Sequence, residues 1–346
     1  MNPFVQLNAQ AIQADQPIAQ LFSQPISALG NQTIELEPLN PLNYRLTQAS
    51  LVHSPELVIY AKAITLAQCQ HIIQLCQANQ VEFISARLIN AIDGGDDCAI
   101  SWQLAKPLET SLLAQIKVWA EQQKIEVWQL LQRPNLSEPG LLLMDMDSTT
   151  IKIECIDEIA KLAGVGKQVA EVTELAMQGK LDFAESLRAR VATLKDCDEA
   201  VLQSVANNLP LMHGLERLIS ALKKHDWKVA IASGGFTFFA DQLKTQLGLD
   251  AAVANSLSIE SGKLTGKVEG EIVDAQVKAR TLTELANEFD IAQSQTVAMG
   301  DGANDLVMMD AADLGVAFEA KPIVQQKADV AINHHGLDAL LFMLKA

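Results

Sequence analysis

Residues 141 to 149 read Leu-Leu-Leu-Met-Asp-Met-Asp-Ser-Thr, and the fold is decided there. The apolar run Leu141 to Met144 predicts a buried strand of a parallel sheet, and it breaks at once into Asp145 and Asp147. Ligands bind at the carboxyl ends of strands in open α/β sheets, so acids placed there suit a site. An acidic turn capping the next helix fits the same residues, and only the rest of the chain separates the two readings.

On the C-terminal side, a stretch running to Pro210 has helical periodicity and no convincing strand. It predicts a helical insertion at about 153–210 that lies over the strand ends and can act as a lid. A helix over Leu215 to Lys224 and a strand, WKVAIA, then end in Ser233, Gly234 and Gly235. Alternation around Ser261-Gly262 predicts a hairpin. A helix from about Ala275 to Phe289 leads to the strand TVAMG and the turn Gly300, Asp301, Gly302, Ala303, Asn304, Asp305. Strands alternating with helices in this way predict an α/β, doubly wound parallel sheet with a helical cap over 141–346.

On the N-terminal side, RPNLSEPG at 133–140 holds two prolines and a glycine between apolar runs, the composition of a linker. Residues 51–132 read as strand (LVIYAK), helix (Leu66 to Gln80), strand (VEFISARLIN), a turn at Asp93-Gly94-Gly95-Asp96, strand (CAISWQL), helix (Ser111 to Gln123) and strand (IEVWQLL). That β-α-β-β-α-β order predicts a second, α+β domain of ferredoxin-like form. Its topology resembles the ACT-like modules found beside amino-acid enzymes. Those modules often carry a glycine after the first strand, where this chain has Ala61, Lys62, Ala63 and Ile64, so scaffold or homodimer contact is the expected role. Residues 1 to about 50, rich in Gln, Asn, Pro and Leu, carry no readable pattern.

Composition bounds the function. At 346 residues, 49% hydrophobic and 20% charged, the chain has ordinary globular character and room for two or three domains. A net charge of −16 argues against nucleic acid or an anionic membrane as partner, so any phosphate site must be built locally. The five cysteines are scattered without a CxxC pair, which fits a reducing cytoplasm. The first residues lack a basic and then apolar leader pattern, and no apolar run is long enough to span a membrane, so a cytoplasmic protein is expected.

Three strand ends now converge on one sheet edge: DMDST, SGG and GDGAND. Ser233 with the amides of Gly234 and Gly235 can hold an anion at the start of a helix. Asp301 is a hard oxygen donor suited to Mg²⁺ beside Asp145 and Asp147. Asp305, Met308, Met309 and Ala312 share a helical face, which turns Asp305 inward. Lys278, Leu282, Leu285 and Phe289 form an apolar stripe with the ammonium at its end, where it either snorkels to the surface or reaches the site.

In this order, DMDST, SGG, Lys278 and GDGANDLVM resemble the four motifs of the haloacid-dehalogenase-type aspartyl phosphatases, whose core is a Rossmann-like (HAD-like) sheet. The cap segments IECIDEIA and LDFAESLRARV resemble those of the phosphoserine phosphatases within that family. The resemblance implies a phosphoric monoester hydrolase acting on O-phosphoserine in serine biosynthesis. Asp145 is then the nucleophile and Asp147 the general acid and base. It further implies Mg²⁺ held by Asp145, Asp301 and the backbone carbonyl of Asp147, with Lys278 beside it and Asp305 behind, anchoring Lys278 and the metal shell. Asn304, Ser233 and Gly234 are expected at the phosphate. In the cap, Glu154 is expected at the substrate ammonium and Arg190 at its carboxylate, with Phe183 and Met177 closing an apolar wall. Rival readings are a relaxed phosphatase or phosphotransferase on another small phosphomonoester, a phosphoacceptor signalling domain without a lid, and an amino-acid-sensing regulatory protein.

Overall fold

The computed structural model describes residues 5–6, 15–21, 33–47, 54–90, 97–177 and 180–345. The chain divides into two compact units, Met1–Asn135 with Val330–Ala346, and Leu136–Asp329. The C-terminal residues, expected to continue the phosphatase core, group with the first unit.

That unit is a mainly antiparallel sheet of β1 (Val5–Gln6), β2 (Thr33–Glu37), β3 (Asn40–Thr47), β4 (Glu56–Ala61), β5 (Phe83–Asn90), β6 (Cys98–Leu104) and β7 (Glu126–Leu130). The strands lie in the order β1-β3-β2-β5-β6-β4-β7. The helices are α1 (Leu66–Ala78) and α2 (Thr110–Gln123). Strands β4 to β7 with these helices give the β-α-β-β-α-β order read from sequence. The hairpin β2–β3 pairs onto the β5 edge (Ile34 opposite Leu88, Leu36 opposite Ala86), within the first fifty residues where no pattern was legible. The Asp93 to Asp96 turn lies outside the described residues.

Period-2 alternation explains why β4 reads as a continuous apolar run. Leu57, Ile59 and Ala61 face the core made by Cys69, Ile72, Cys76, Leu112, Ile116 and Ala120 of the helices. Val58 and Tyr60 point to the other face, where Tyr60 stacks on Phe342 at 4.3 Å between ring centroids. On that side Trp128 donates to the Ala331 carbonyl at 2.8 Å. The C-terminal segment thus covers a face that the sequence shows to be apolar but does not show to be occupied.

In the second unit, β8 (Leu141–Met144) is followed by the cap helices α3 (Cys155–Leu162), α4 (Gly166–Met177), α5 (Phe183–Ala192) and α6 (Ala200–Ala206). Then come α7 (Leu215–Lys224), β9 (Lys228–Phe236), α8 (Thr237–Leu247), β10 (Ala251–Glu260), β11 (Lys263–Glu269), α9 (Ala275–Glu288), β12 (Thr296–Gly300), α10 (Leu306–Ala311), β13 (Leu314–Phe318) and α11 (Pro322–Lys327). Strand β14 (Val330–Ile332) belongs to the first unit. The order β11-β10-β9-β8-β12-β13 is parallel throughout except for β11. The fold is therefore the doubly wound α/β sheet with a helical cap that the sequence predicts. In register, Met144 lies between Ile231 of β9 and Met299 of β12, so three strand ends open side by side. The cap leaves and returns through paired main chain: Lys152 N–H donates to Pro210 O and Met212 N–H to Thr150 O, both at 2.9 Å.

Candidate active site

Strand β8 ends in a turn folded back on itself. The amides of Thr149, Thr150 and Ile151 all donate to Met146 O, and Ser148 takes a left-handed φ of 57°. This holds Asp145 at the sheet edge, 7% exposed, with its Oδ1 accepting the Met146 N–H at 2.7 Å. Lys278 does not snorkel: it is fully buried, and its Nζ lies 2.7 Å from both Asp145 Oδ1 and Asp305 Oδ1. Burial alone would lower its pKa, and the two carboxylates overcome that and raise it. Asp305, also fully buried, uses Oδ1 for Lys278 and Oδ2 for the Gly302 N–H at 3.0 Å. Gly300 must lack a side chain, since a Cβ there would meet the Asp305 carboxyl at 2.4 Å.

A cavity of about 290 Å³ opens over these groups. Asp145, Asp147, Ser233, Gly234, Asp301 and Asn304 line it from the core, and Glu154, Phe183 and Arg190 from the cap. Lys278 and Asp305 lie behind this lining. Met177 ends α4, and its side chain lies outside the described residues. Ile156, Leu187, Phe236, Lys321, Ile323 and Val324 also line the cavity. The glycine-rich turn differs from expectation: Ser233, Gly234 and Gly235 still belong to β9, which ends at Phe236, and α8 begins only at Thr237. Ser233 Oγ accepts the Gly235 N–H at 2.9 Å, so one of the expected anion-binding amides is engaged within the turn.

Sequence reasoning missed Asn255. Buried at the sheet edge, it donates to Gly234 O at 2.8 Å and accepts from Val273 N–H at 2.9 Å. It thereby ties the turn of β9 to the segment that starts the Lys278 helix, whose N-cap is Asp274. It lies mid-strand in β10, where its burial and not its place in the sequence marks it.

The electrostatics are those of an acid-rich cavity. Burial, and then the charges of Glu154 and Asp145, push Asp147 well above the usual carboxyl range, against hydrogen bonds from Cys155. Asp147 Oδ1 is buried without a hydrogen-bond partner. Asp301 is raised to about 6, first by burial and then by Asp145. Burial, then Asp145, also raises Asp305 against the pull of Lys278. Burial raises Glu154, opposed by the Ser148 hydroxyl that donates to it at 2.8 Å. Arg190 Nε is buried without a partner in the same cavity.

Asp145, Asp301 and Asp305 carry carboxylate oxygens within 4.8 Å of one another. Hard oxygen donors clustered this closely fit a divalent cation such as Mg²⁺. Both Asp305 oxygens already accept hydrogen bonds, which leaves Asp145 and Asp301 as the more direct ligands. The Asp147 carboxyl lies outside this cluster.

A family model of haloacid dehalogenase-like hydrolases matches residues 140–313. The chain belongs to this hydrolase family. Among its relatives, a phosphoserine phosphatase of Haemophilus influenzae is 57% identical over 64% of this chain and 71% of its own length. One from Vibrio cholerae is 60% identical over 62% and 65%, respectively. The solved unliganded structure of a probable phosphoserine phosphatase from Vibrio cholerae superposes with a TM-score of 0.70 at 45% identity, covering 84% of this chain and 86% of that one. Among the described residues, no helix is long and apolar enough to cross a membrane.

Proposed function

We propose that the chain hydrolyses O-phosphoserine to serine and inorganic phosphate through an aspartyl-phosphate on Asp145. The observation that carries this reading is the pairing, in one cavity, of an Asp145 held by Lys278 at 2.7 Å with an Asp147 whose carboxyl burial pushes well above the usual range. An Asp145 oxygen attacks phosphorus as the bond to the serine oxygen breaks, and Asp147 gives its proton to that leaving oxygen. Asp147, now ionised, takes a proton from the water that attacks the phosphoaspartate, which releases phosphate and restores both carboxyls. Mg²⁺ at Asp145, Asp301 and the Asp147 carbonyl would supply positive charge at the phosphoryl oxygens.

The need for cations is quantitative. A carboxylate meeting one unit of phosphate charge at about 4 Å costs about 4 kcal/mol at an effective dielectric near 20. Unopposed, that is on the order of 10³ in rate. Lys278 offsets part of it in the ground state, with Asp305 fixing its position. Ser233, Gly234 and Asn304 orient the phosphate. Arg190 takes the serine carboxylate and Glu154 the ammonium, while Phe183 helps exclude water.

The test is phosphate release from O-phosphoserine with Mg²⁺ and with EDTA, beside phosphoethanolamine and an aryl phosphate. Mg²⁺-dependent preference for phosphoserine is expected. Activity on the aryl phosphate alone would discard Glu154 and Arg190 as substrate contacts, and a stable phosphoaspartate without turnover would favour a phosphoacceptor. The proposal includes a cytoplasmic setting, consistent with five free cysteines, and a homodimer through the first unit, which light scattering tests.

A further inference from the structure

Helix α5 carries Arg190, and the helix is held at both ends by glycines that admit close approach. At its N-terminal end, a Cβ on Gly234 would meet the Phe183 ring at 2.6 Å. Near its C-terminal end, a Cβ on Gly266 in β11 would meet Lys195 Cβ at 2.9 Å, Ala192 O at 3.3 Å and Ala192 Cα at 3.4 Å. Gly266 also has φ +78°, a conformation that side chains rarely adopt. The turn after α5 then joins the β10–β11 hairpin through main chain. Asp196 N–H donates to Leu264 O and Leu264 N–H to Cys197 O, both at 2.9 Å, and Glu199 N–H to Gly262 O at 3.0 Å. Asp198 and Lys263 form an antiparallel bridge. A cap segment thus lengthens the core sheet at the β11 edge, a second attachment independent of the 150–152 and 210–212 crossing.

A helix joined only by its crossing strands could tilt, and the guanidinium near its last turn would move most. The rise per residue makes α5 about 15 Å long, so a few degrees of tilt displaces that end by about 1 Å, enough to spoil a carboxylate pair. We propose that the β10–β11 hairpin is a positioning element for substrate recognition, and that Gly266 is a specificity-determining residue acting through Arg190. The hairpin fixes the Arg190 end of α5 against the core.

This inference rests on the phosphoserine reading, and three variants separate the two. Gly266→Ala should raise KM for O-phosphoserine about tenfold, with kcat changed less than threefold. Phosphoethanolamine, which has no carboxylate for Arg190 to hold, should keep its kcat/KM within twofold and so report an intact catalytic core. Glu199→Pro removes the N–H donated to Gly262 O at a residue whose φ of −61° already suits proline. It should raise the phosphoserine KM about threefold, and it decides the matter if Gly266→Ala does not fold. Arg190→Ala is measured in parallel. If Arg190→Ala lowers both substrates equally, the carboxylate reading of Arg190 fails. If it discriminates between them and the hairpin variants do not, or they harm both substrates alike, the role of the hairpin is overturned.

Discussion

The protein buries ionic clusters in both units, and they are opposites in how their charges are met. In the first unit, Glu56 accepts from Arg87 at 3.0 and 3.1 Å, from Arg133 at 2.9 Å and from Ser101. Burial would raise Glu56, and Arg133 and Arg87 outweigh it, so its pKa is lowered. Arg133, its side chain largely buried and brought down to about 10 by burial against the pull of Glu56, uses its other donors on the carbonyls of Phe342, Met343 and Leu344. In the second unit, Asp147, Asp301 and Asp305 are all raised, and a cavity lies over the site. A cluster whose charges satisfy one another holds chain to chain. One left short of positive charge is prepared for a cation and an anionic substrate.

The sharpest way to break this contrast is Asp145→Asn. Phosphate release should fall at least about 10⁴-fold, since a nucleophile is lost rather than a contact, while thermal stability holds or rises because an acid is removed from an under-neutralised cluster. Residual turnover within tenfold of the parent, in a folded variant, would remove Asp145 from the nucleophile role.

The counterpart in the first unit is Arg133→Met. It strands Glu56 and frees three C-terminal carbonyls, and about 3–5 kcal/mol of unfolding free energy should be lost, read from urea denaturation. The kcat of the molecules still folded should be unchanged. A loss below about 1 kcal/mol would mean that the Glu56 network is not what fixes residues 330–345.

Next in size is Arg190→Ala, removing a charged contact of about 1.5–3 kcal/mol, so kcat/KM for O-phosphoserine should drop about 10- to 100-fold. Phosphoethanolamine should barely change. Equal loss on both substrates would show that Arg190 orders the cap without meeting a carboxylate.

The same contrast explains what could be read in advance. The second unit was legible because its chemistry sits at strand ends, where DMDST, SGG and GDGAND interrupt apolar runs, and because Lys278 occupies a position in a helical stripe. Asn255 was not legible, since its role is to accept one backbone N–H and donate to one carbonyl, and a polar residue on a strand has no periodic signature. In the first unit, β4 to β7 could be read from alternation and turns. The hairpin β2–β3 could not, because polar pairs such as Glu35 with Arg45 dominate its exposed face. Nor could the return of residues 330–345, because an apolar strand face does not name its cover.

The smallest effect sharpens the comparison through pH, because the two clusters carry opposite signs. Asp301 has a folded pKa near 6 against 3.8 unperturbed, so the folded metal-free protein disfavours its charged form. Its contribution to stability is best below 3.8 and worsens as pH rises through about 6, by at most about 3 kcal/mol and by about 1–2 after solvent screening. Glu56, with a lowered pKa, stabilises above 4.5 and loses that contribution as pH falls below it. Mg²⁺ must displace the proton that Asp301 holds in acid. The rise in Tm between EDTA and saturating Mg²⁺ should therefore be several degrees larger at pH 7.5 than at pH 5.0. Glu56→Gln should flatten the loss of stability below pH 4.5 and leave that Mg²⁺ increment untouched. A Mg²⁺ increment of equal size at both pH values would mean that Asp301 does not titrate with the metal, and the contrast between a satisfied and an expectant cluster would then rest on geometry alone.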